Sequence, residues 1–328
     1  MTGNAPEPRS ASSDSPLPLP GAGEGPGVRE GSQKRFLTPF LCLAMALMVL
    51  PACRPPAPLT PLPWDVIPPP ARMPTYEELA HRHNRHVEHL ERLWSRATIT
   101  VRWRENGRQR WEQADSSNVI LDLPHRVAVA IGSSAPGVGT IMWLGSDEDR
   151  YWLFDLYNDK TLYWGHHETV GMPGTKQLAI PVHPRDLPRL LGVLKIDPAT
   201  PGRVNWDPVW GGYVLEPWHG RYRVVVDRER ALPLRVDLLD AEGWSVLQAL
   251  LTSPQPLAMG DLEPWEHPTI ATRVDISVID SDDELILQLR GMDPSPGPRR
   301  LNPAQFDLDT LQRQFRPDEV IQLDEPVQ

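Results

Sequence analysis

Cysteine is scarce in this 328-residue chain, which contains only Cys42 and Cys53. Two cysteines are too few for a disulfide-rich secreted scaffold. Cys42 lies inside an apolar run and Cys53 directly follows that run. If the run is removed during export and Cys53 is modified, no thiol is left to form an internal disulfide. We therefore expect the fold to rest on an apolar core alone.

Basic residues are fewer than acidic residues in this chain. The chain has 33 Lys and Arg residues against 43 Asp and Glu residues, which gives a formal net charge of −10. No dense Lys/Arg cluster interrupts this excess of acidic groups. Because such a chain repels a phosphate backbone, we expect no nucleic-acid partner. For the same reason, we expect no charge-driven binding to anionic lipid headgroups.

Motifs of common enzyme and cofactor sites are missing. The sequence has no His-Glu-x-x-His zinc motif, no Gly-x-Ser-x-Gly elbow, no phosphate-binding loop and no dinucleotide fingerprint. The acidic stretches 147–149 and 280–283 are typical of solvated hairpin turns. We predict a protein that is not an enzyme and needs no cofactor, although a triad assembled from distant residues would leave no motif.

The sequence has no apolar run long enough to span a bilayer, which takes about 20 residues. The longest run, Phe36–Leu50, follows Lys34 and Arg35 and ends in Leu50-Pro51-Ala52-Cys53. A basic start, a short apolar core and small residues before a cleavage point are typical of a secretory signal. The last four residues resemble the bacterial lipobox, whose cysteine is acylated after cleavage, for example with palmitate. A buried helix that ends in cysteine is the alternative interpretation.

These features predict four regions. Residues 1–33 are a Pro-, Gly- and Ser-rich extension, either disordered or produced by a misassigned start codon, with the true start near Val28. Residues 34–52 are a lipoprotein signal peptide, whose removal would leave 276 residues. Residues 53–74 are a Pro-rich, extended tether, and residues 75–328 form the folded domain. Arg54, rather than Asp, follows the cysteine, and by resemblance to the sorting rule of enteric bacteria this favours the outer membrane, facing the periplasm.

The domain is predicted to begin with a helix that extends to Trp94. Thr75 and Glu78 have the spacing of a capping box, and apolar residues follow at near-helical period. Four histidines share this segment: His81, His83, His86 and His89. Two or three of them have the spacing of metal ligands, but a polar, solvated helix face is the simpler interpretation, and we predict no metal.

The rest of the domain has mainly strand periodicity. Ala97–Arg104 alternates, and Asn106-Gly107 is a strong signal for a two-residue hairpin turn. About eleven short strands follow in this way, at roughly ten-residue spacing. Two later helices are predicted near residues 184–194 and 306–315, and 198–212 and 254–268 are predicted as loops. The predicted fold class is mostly β (α+β).

This order of elements resembles the LolA/LolB lipoprotein-localisation family. The most similar stretch runs from Leu93-Trp94 through Leu123-Pro124-His125-Arg126 and Gly145-Ser146-Asp147 to Tyr151-Trp152-Leu153-Phe154-Asp155. The resemblance implies an incomplete antiparallel barrel whose concave face, covered by helices, holds the acyl chains of lipids or lipoproteins. The family's cavity arginine and the exposed loop leucine of LolB have no counterpart that we can place on this sequence.

The resemblance and the strand pattern together give a candidate site. Predicted cavity walls are Val101, Trp103, Ile120, Ile141, Trp143 and Leu153, and predicted loop contacts are Trp206, Trp210 and Trp218. Such residues fill an ordinary core or anchor loops equally well. The first hypothesis is an outer-membrane-anchored lipoprotein that binds lipid or lipoprotein acyl chains, with a possible role in lipoprotein sorting or envelope biogenesis. The second is a scaffold lipoprotein with a filled core, whose Trp/Pro-rich loops bind an unknown protein partner.

Overall fold

The computed structural model describes residues 67–132, 139–157, 160–170, 182–218 and 220–324. All of these residues fall within one compact unit of the chain. The predicted extension, the predicted signal peptide and Cys53, the predicted site of the lipid anchor, lie outside the described residues, as does most of the predicted tether.

Helix α1 spans Tyr76–Asn84 and begins where the sequence predicts. The hydroxyl of Thr75 accepts a hydrogen bond from the Glu78 backbone N–H, and the Glu78 carboxylate accepts one from the Thr75 N–H. These two bonds satisfy backbone donors that the first helical turn leaves free. The predicted end of the helix at Trp94 is wrong, because the chain leaves the helix after Asn84 and is already a strand at Arg92.

Strands make up about half of the described residues. They are β1 (Arg92–Glu105), β2 (Arg108–Asp122), β3 (Arg126–Gly132), β4 (Thr140–Ser146), β5 (Arg150–Asp155), β6 (Thr161–His166), β7 (Gly202–Asp207), β8 (Gly212–Pro217), β9 (Tyr222–Asp227), β10 (Pro233–Leu239), β11 (Ser245–Pro256), β12 (Thr269–Val278), β13 (Glu284–Asp293) and β14 (Glu319–Gln322). The other helices are α2 (Leu187–Leu190) and α3 (Leu308–Phe315).

All fourteen strands of the described residues form one sheet, in the order β14-β6-β5-β4-β3-β2-β1-β13-β12-β11-β10-β9-β8-β7. Two antiparallel meanders, β1–β6 and β7–β13, meet where β1 pairs with β13. The edge strands β14 and β7 do not pair with each other, so the sheet stays open. The predicted open, mostly β fold is confirmed, but the predicted count of eleven strands is too low. One strand that was missed, β7, lies inside the predicted loop 198–212.

The two faces of the sheet have different partners. The inner face, defined here as the face that packs against α1 and α2, carries the main apolar cluster, to which both meanders contribute. The outer face carries two smaller clusters in the β2–β6 half. On this face Trp152 and Phe154 pack against Leu308 and Leu311 of α3. The two later helices were predicted to cover the concave face together, but α3 covers the opposite face.

Gly145 on β4 shows how closely the outer face is packed. A Cβ atom at this position would lie 2.6 Å from the indole Nε1 of Trp152, which is itself fully buried. A glycine is therefore needed for the large ring to lie flat against the neighbouring strand. None of the helices in the described residues is both long and apolar enough to span a bilayer.

We expect the substitution Leu311→Ala to lower the free energy of unfolding by about 2–4 kcal/mol, because it removes a buried side chain between α3 and the outer face. Gln314→Ala, an exposed position on the same helix, is the matched control and should change it by less than about 0.5 kcal/mol. Urea unfolding followed by tryptophan fluorescence measures both. Equal effects of the two changes would show that α3 does not stabilise the sheet.

Candidate functional site

The inner face of the sheet is the place where the sequence predicts a cavity. Two segments lie over it: helix α1, and residues 182–196, called the covering segment from here on. The buried residues of α1 are Tyr76, Leu79, Ala80 and His83. The covering segment buries Val182, Leu187, Leu190, Leu191, Val193 and Ile196. Both sets belong to the same apolar cluster as the inward residues of the strands, so most of the inner face is filled by the chain itself.

Local sequence explains why the covering segment stays short and irregular. A 3₁₀ turn starts at Pro184, and α2 has Pro188 in its first turn and lasts only four residues. Gly192 ends it with a φ of +68°, a left-handed conformation that favours glycine. A Cβ atom there would lie 2.7 Å from Pro233 Cγ and 2.9 Å from Leu251 Cδ2. The segment therefore packs directly on strands β10 and β11.

Polar contacts fasten the covering segment to α1. The side chain of Asn84 donates to the carbonyl of Ile196 at 2.7 Å and accepts from the Ile196 N–H at 2.8 Å. One ring nitrogen of His83, Nε2, lies 3.3 Å from the carbonyl of Leu194. His83 is 1% exposed, and burial lowers its pKa to about 4, although the Leu194 carbonyl acts in the opposite direction. A neutral imidazole is therefore part of this connection.

A mostly apolar, partly open cavity of about 160 Å³ lies at the edge of the covering segment, between Leu191, the β9–β10 turn and strands β10–β12. Its apolar walls include Leu191, Leu232, Leu251 and Ile270, with Ala271 beside them. Asp227, Glu229 and Arg230 line its charged side. Sequence reasoning missed these residues, since the strands were predicted but nothing in their pattern marks where the covering segment would leave a gap.

The predicted cavity residues do not share one face. Val101 and Leu153 belong to the inner cluster, and Trp103 shares the face of Val101 because it lies two residues further along β1. Ile120 and Trp143 belong to the outer clusters instead. Ile141 shares the face of Trp143 by the same alternation. The six residues were predicted to line one cavity, whereas the structure divides them between two faces.

The predicted loop tryptophans are also separated. Trp206 lies on β7, packs against the inner cluster and donates from Nε1 to the carbonyl of Ile67 at 2.8 Å. Trp210 is 38% exposed in the β7–β8 turn. Trp218 is 51% exposed between β8 and β9, at the opposite end of the sheet. Only Trp210 and Trp218 are therefore available as surface contacts.

The histidines of the first segment do not come together around a shared point. His83 is buried, His81 is exposed, and the ring of His86 contacts the carbonyl of Arg230. Within the described part of the chain, no group of three or more His, Cys, Asp or Glu side chains has the arrangement of a metal site.

A second group of histidines lies near the start of the covering segment and includes His167, which the sequence predicts only as part of a loop after a strand. The ring of His183 lies 4.5 Å from that of Tyr151 and 5.3 Å from that of His167, measured between centroids. Burial, with smaller contributions from His167 and Arg185, lowers the pKa of His183 to about 3. Burial lowers the pKa of His167 as well. No local sequence pattern predicts this group, because the rings come from distant positions.

These buried histidines predict a pH dependence. His83 binds its proton near pH 4 in the folded chain but near pH 6.5 when unfolded, so the unfolded state holds more protons between these values. Stability should therefore fall as the pH drops below about 6.5, by about 2 kcal/mol at pH 5 from His83 alone. His167 and His183 add to the loss in the same direction.

Urea unfolding at pH 7.5 and pH 5 measures this loss. His83→Leu should remove part of the difference between the two pH values, whereas His81→Gln, at an exposed position on the same helix, should leave it unchanged. An unchanged pH dependence in His83→Leu would show that His83 is not protonated on unfolding in this range.

Comparisons with known proteins give matches only among solved structures. No protein-family model matches the chain, and no curated protein matches it. A DUF1329 family protein from Desulfovibrio piger is 13% identical, with a TM-score of 0.49, over 72% of this chain and 98% of that one. A proposed outer membrane lipoprotein-sorting protein domain from Vibrio parahaemolyticus is 12% identical, with a TM-score of 0.49, over 72% of this chain and 98% of that one.

A LolA superfamily protein from Nitrosomonas europaea is 11% identical, with a TM-score of 0.43, over 72% of this chain and 99% of that one. At these identities and TM-scores, the matches say nothing about ligand or activity. Structural neighbours of this chain thus include a DUF1329 family protein and proteins of the LolA and lipoprotein-sorting group, the group that its sequence resembles.

Proposed function

We propose that this chain is a lipid-anchored protein of the bacterial cell envelope that binds an acyl chain between its sheet and its covering segment, without catalysing a reaction. The observation that carries the proposal is the mostly apolar, partly open cavity of about 160 Å³ beside Leu191 at the edge of the covering segment. An apolar cavity with a few polar groups at one side is the usual form of a site for a small apolar ligand.

The size of the cavity limits what it holds. It is close to the ~150 Å³ of an engineered apolar cavity that stays dry and binds benzene. It therefore accommodates the end of an acyl chain, and each buried methylene contributes about 0.8 kcal/mol. A longer chain needs space that Leu187, Leu190 and Leu191 now fill, so the covering segment has to move aside. Its short helix and the left-handed Gly192 leave little regular structure to break.

The membrane attachment is proposed from the sequence. Cys53 lies outside the described residues, and its place after the apolar run supports acylation there. The outer membrane, with the domain facing the periplasm, is the location proposed from Arg54. A protein anchored there with an acyl-binding site suits a role in lipoprotein sorting or envelope biogenesis.

A second candidate function is a scaffold that binds a protein partner. The observation that favours it is the filled inner face, together with exposed tryptophans at one end of the sheet. Trp111, Trp218 and Trp244 are 65%, 51% and 70% exposed. Cross-linking in cells distinguishes the candidates, because a scaffold should lose its partner when Trp218 and Trp244 become alanine, whereas an acyl-binding protein should keep its ligand.

We expect the substitution Ala271→Leu to weaken uptake of a fluorescent fatty acid at least tenfold, since the added methyl groups occupy the cavity that Ala271 lines. Ala241→Leu, the same change at an exposed position in the β10–β11 turn, is the matched control. Titration of the purified protein measures both, and urea unfolding checks that each variant folds. Absence of uptake by the unmodified protein, or equal uptake by both variants, would contradict the cavity as the site.

We expect the unmodified protein to incorporate an alkyne-tagged palmitate analogue in cells, and Cys53→Ser to abolish the labelling because it removes the acylated thiol. Mass spectrometry of the N-terminal peptide should place the acyl groups on Cys53. Cys42→Ser is the control and should still be labelled, since residue 42 precedes the cleavage point. A mature protein with an unmodified Cys53 would exclude the anchor.

A further inference from the structure

The turn between β7 and β8 presents apolar side chains at one end of the sheet. Val209 is 52% exposed and Trp210 38% exposed, and Ile67, 44% exposed, packs against the same turn. The backbone N–H of Ile67 donates to the carbonyl of Pro208 at 2.8 Å. These three residues are called the tether corner from here on, because the chain that leads from Cys53 joins the described structure at Ile67.

The tether corner is held in a fixed shape. Asp207 accepts hydrogen bonds from the N–H groups of Val209 and Trp210, at 3.0 and 3.1 Å. Its other carboxylate oxygen lies 3.4 Å from the guanidinium of Arg235. The indole N–H of Trp206 also donates to the carbonyl of Ile67, which helps to fix Ile67 in place. The exposed apolar groups are thus presented by an ordered turn, so little conformational entropy is lost when they bind a surface.

Positive charge collects beside this corner. Gly212 pairs with Asp227 across β8 and β9, so the β9–β10 turn, with Arg228 and Arg230, lies next to the β7–β8 turn at the same end of the sheet. Arg82 of α1 donates to the carbonyls of Arg228 and Glu229, at 3.1 and 2.7 Å.

Arg82 also lines an adjoining open groove, together with Arg85 and Lys195. The five cations Arg82, Arg85, Lys195, Arg228 and Arg230 are called the basic collar. Four of them are exposed, all but Arg82, and none of the five forms an ion pair with another described residue. Glu88, Asp227 and Glu229 are carboxylates that lie among them, so the five cations face three carboxylates, of which Asp227 also accepts hydrogen bonds from the Glu229 and Arg230 N–H groups. The collar is therefore locally positive although the whole chain carries a net charge of −10.

The short length of chain between Cys53 and Ile67 favours a membrane as the partner of the tether corner. Fourteen residue steps separate Cys53 from Ile67. At most about 3.6 Å per residue, an acylated Cys53 keeps the tether corner within about 50 Å of the membrane. An aromatic side chain beside basic residues is the pattern of surfaces that lie at a lipid headgroup region.

We propose that the tether corner and the basic collar form a surface that docks on the anionic headgroups of the bilayer to which the protein is anchored. Trp210 and Val209 enter the interface and the collar contacts lipid phosphates. The opposite end of the sheet, with Trp218 and Trp244, then faces away from the membrane. This docking rests on the anchor proposed above, but it adds an orientation that the anchor alone does not impose.

A single spin label at Val209→Cys tests the proposal, because the processed, acylated protein has no other free thiol. The protein is reconstituted in phosphatidylcholine vesicles with and without phosphatidylglycerol. We expect the label to lose contact with an aqueous relaxing agent and to gain contact with oxygen, more strongly in the anionic vesicles. Arg228→Gln with Arg230→Gln should lower the equilibrium constant between undocked and docked protein by about fivefold per arginine. A label at Ala241→Cys, in the β10–β11 turn, is the control and should stay aqueous.

Flotation of the vesicles separates failure of the anchor from failure of docking. If the protein does not float with phosphatidylcholine vesicles, the anchor is wrong, and Val209→Cys is then combined with Cys42→Ser and Cys53→Ser so that the Val209 label remains the single one, and it is read with an excess of added anionic vesicles. A label that stays aqueous there, or in anchored protein, overturns the docking surface. Shielding of the label without any vesicles would mean that a second copy covers the turn, and would overturn it too.

Discussion

The fold depends on how an open sheet buries one whole face. In a closed barrel the first and last strands pair with each other, and the side chains of the strands fill the interior. Here the edge strands β7 and β14 do not pair with each other. The inner face must therefore be covered by chain that is not part of the sheet. Helix α1 and the covering segment supply that cover, and the two hydrogen bonds between Asn84 and Ile196 join one to the other. Buried His83 belongs to the same junction, which makes the cover sensitive to protonation.

The same cover determines what the sheet can bind. Because Leu187, Leu190 and Leu191 occupy the middle of the inner face, a ligand has either the small cavity beside Ile270 or the space that the covering segment would vacate. A covering segment fixed mainly by apolar contacts exchanges them for similar contacts with an acyl chain at little net cost. This is the physical reason for preferring an acyl ligand to a polar one. It also explains why a filled inner face and a ligand-binding function are compatible.

Sequence periodicity predicted the class of fold but not the assignment of faces. The capping box at Thr75 placed the start of α1 correctly, and alternation found most strands. The end of α1 was misplaced because Leu90, Leu93 and Trp94 fit a helical stripe, while tertiary pairing with β2 makes the last two part of a strand.

Alternation also cannot say which face of a strand is inner. Ile120 and Trp143 were therefore grouped with Val101, although α3 and the 3₁₀ turn Pro303–Phe306 bury them on the other face. The cavity walls escaped prediction because a gap depends on how two distant segments meet.

The net charge of the chain also does not predict the local charge of each part of its surface. A formal charge of −10 predicts repulsion from anionic lipids only if the charges are spread evenly. On the outer face, carboxylates such as Asp237, Asp275 and Glu284 are paired with arginines on their own or neighbouring strands. Over a Debye length of about 8 Å at physiological salt, a surface responds to nearby charges and not to the total. The basic collar has five cations against the three carboxylates Glu88, Asp227 and Glu229, so its local charge is opposite in sign to the net charge of the whole chain, which is the basis for proposing that this end of the sheet meets a bilayer.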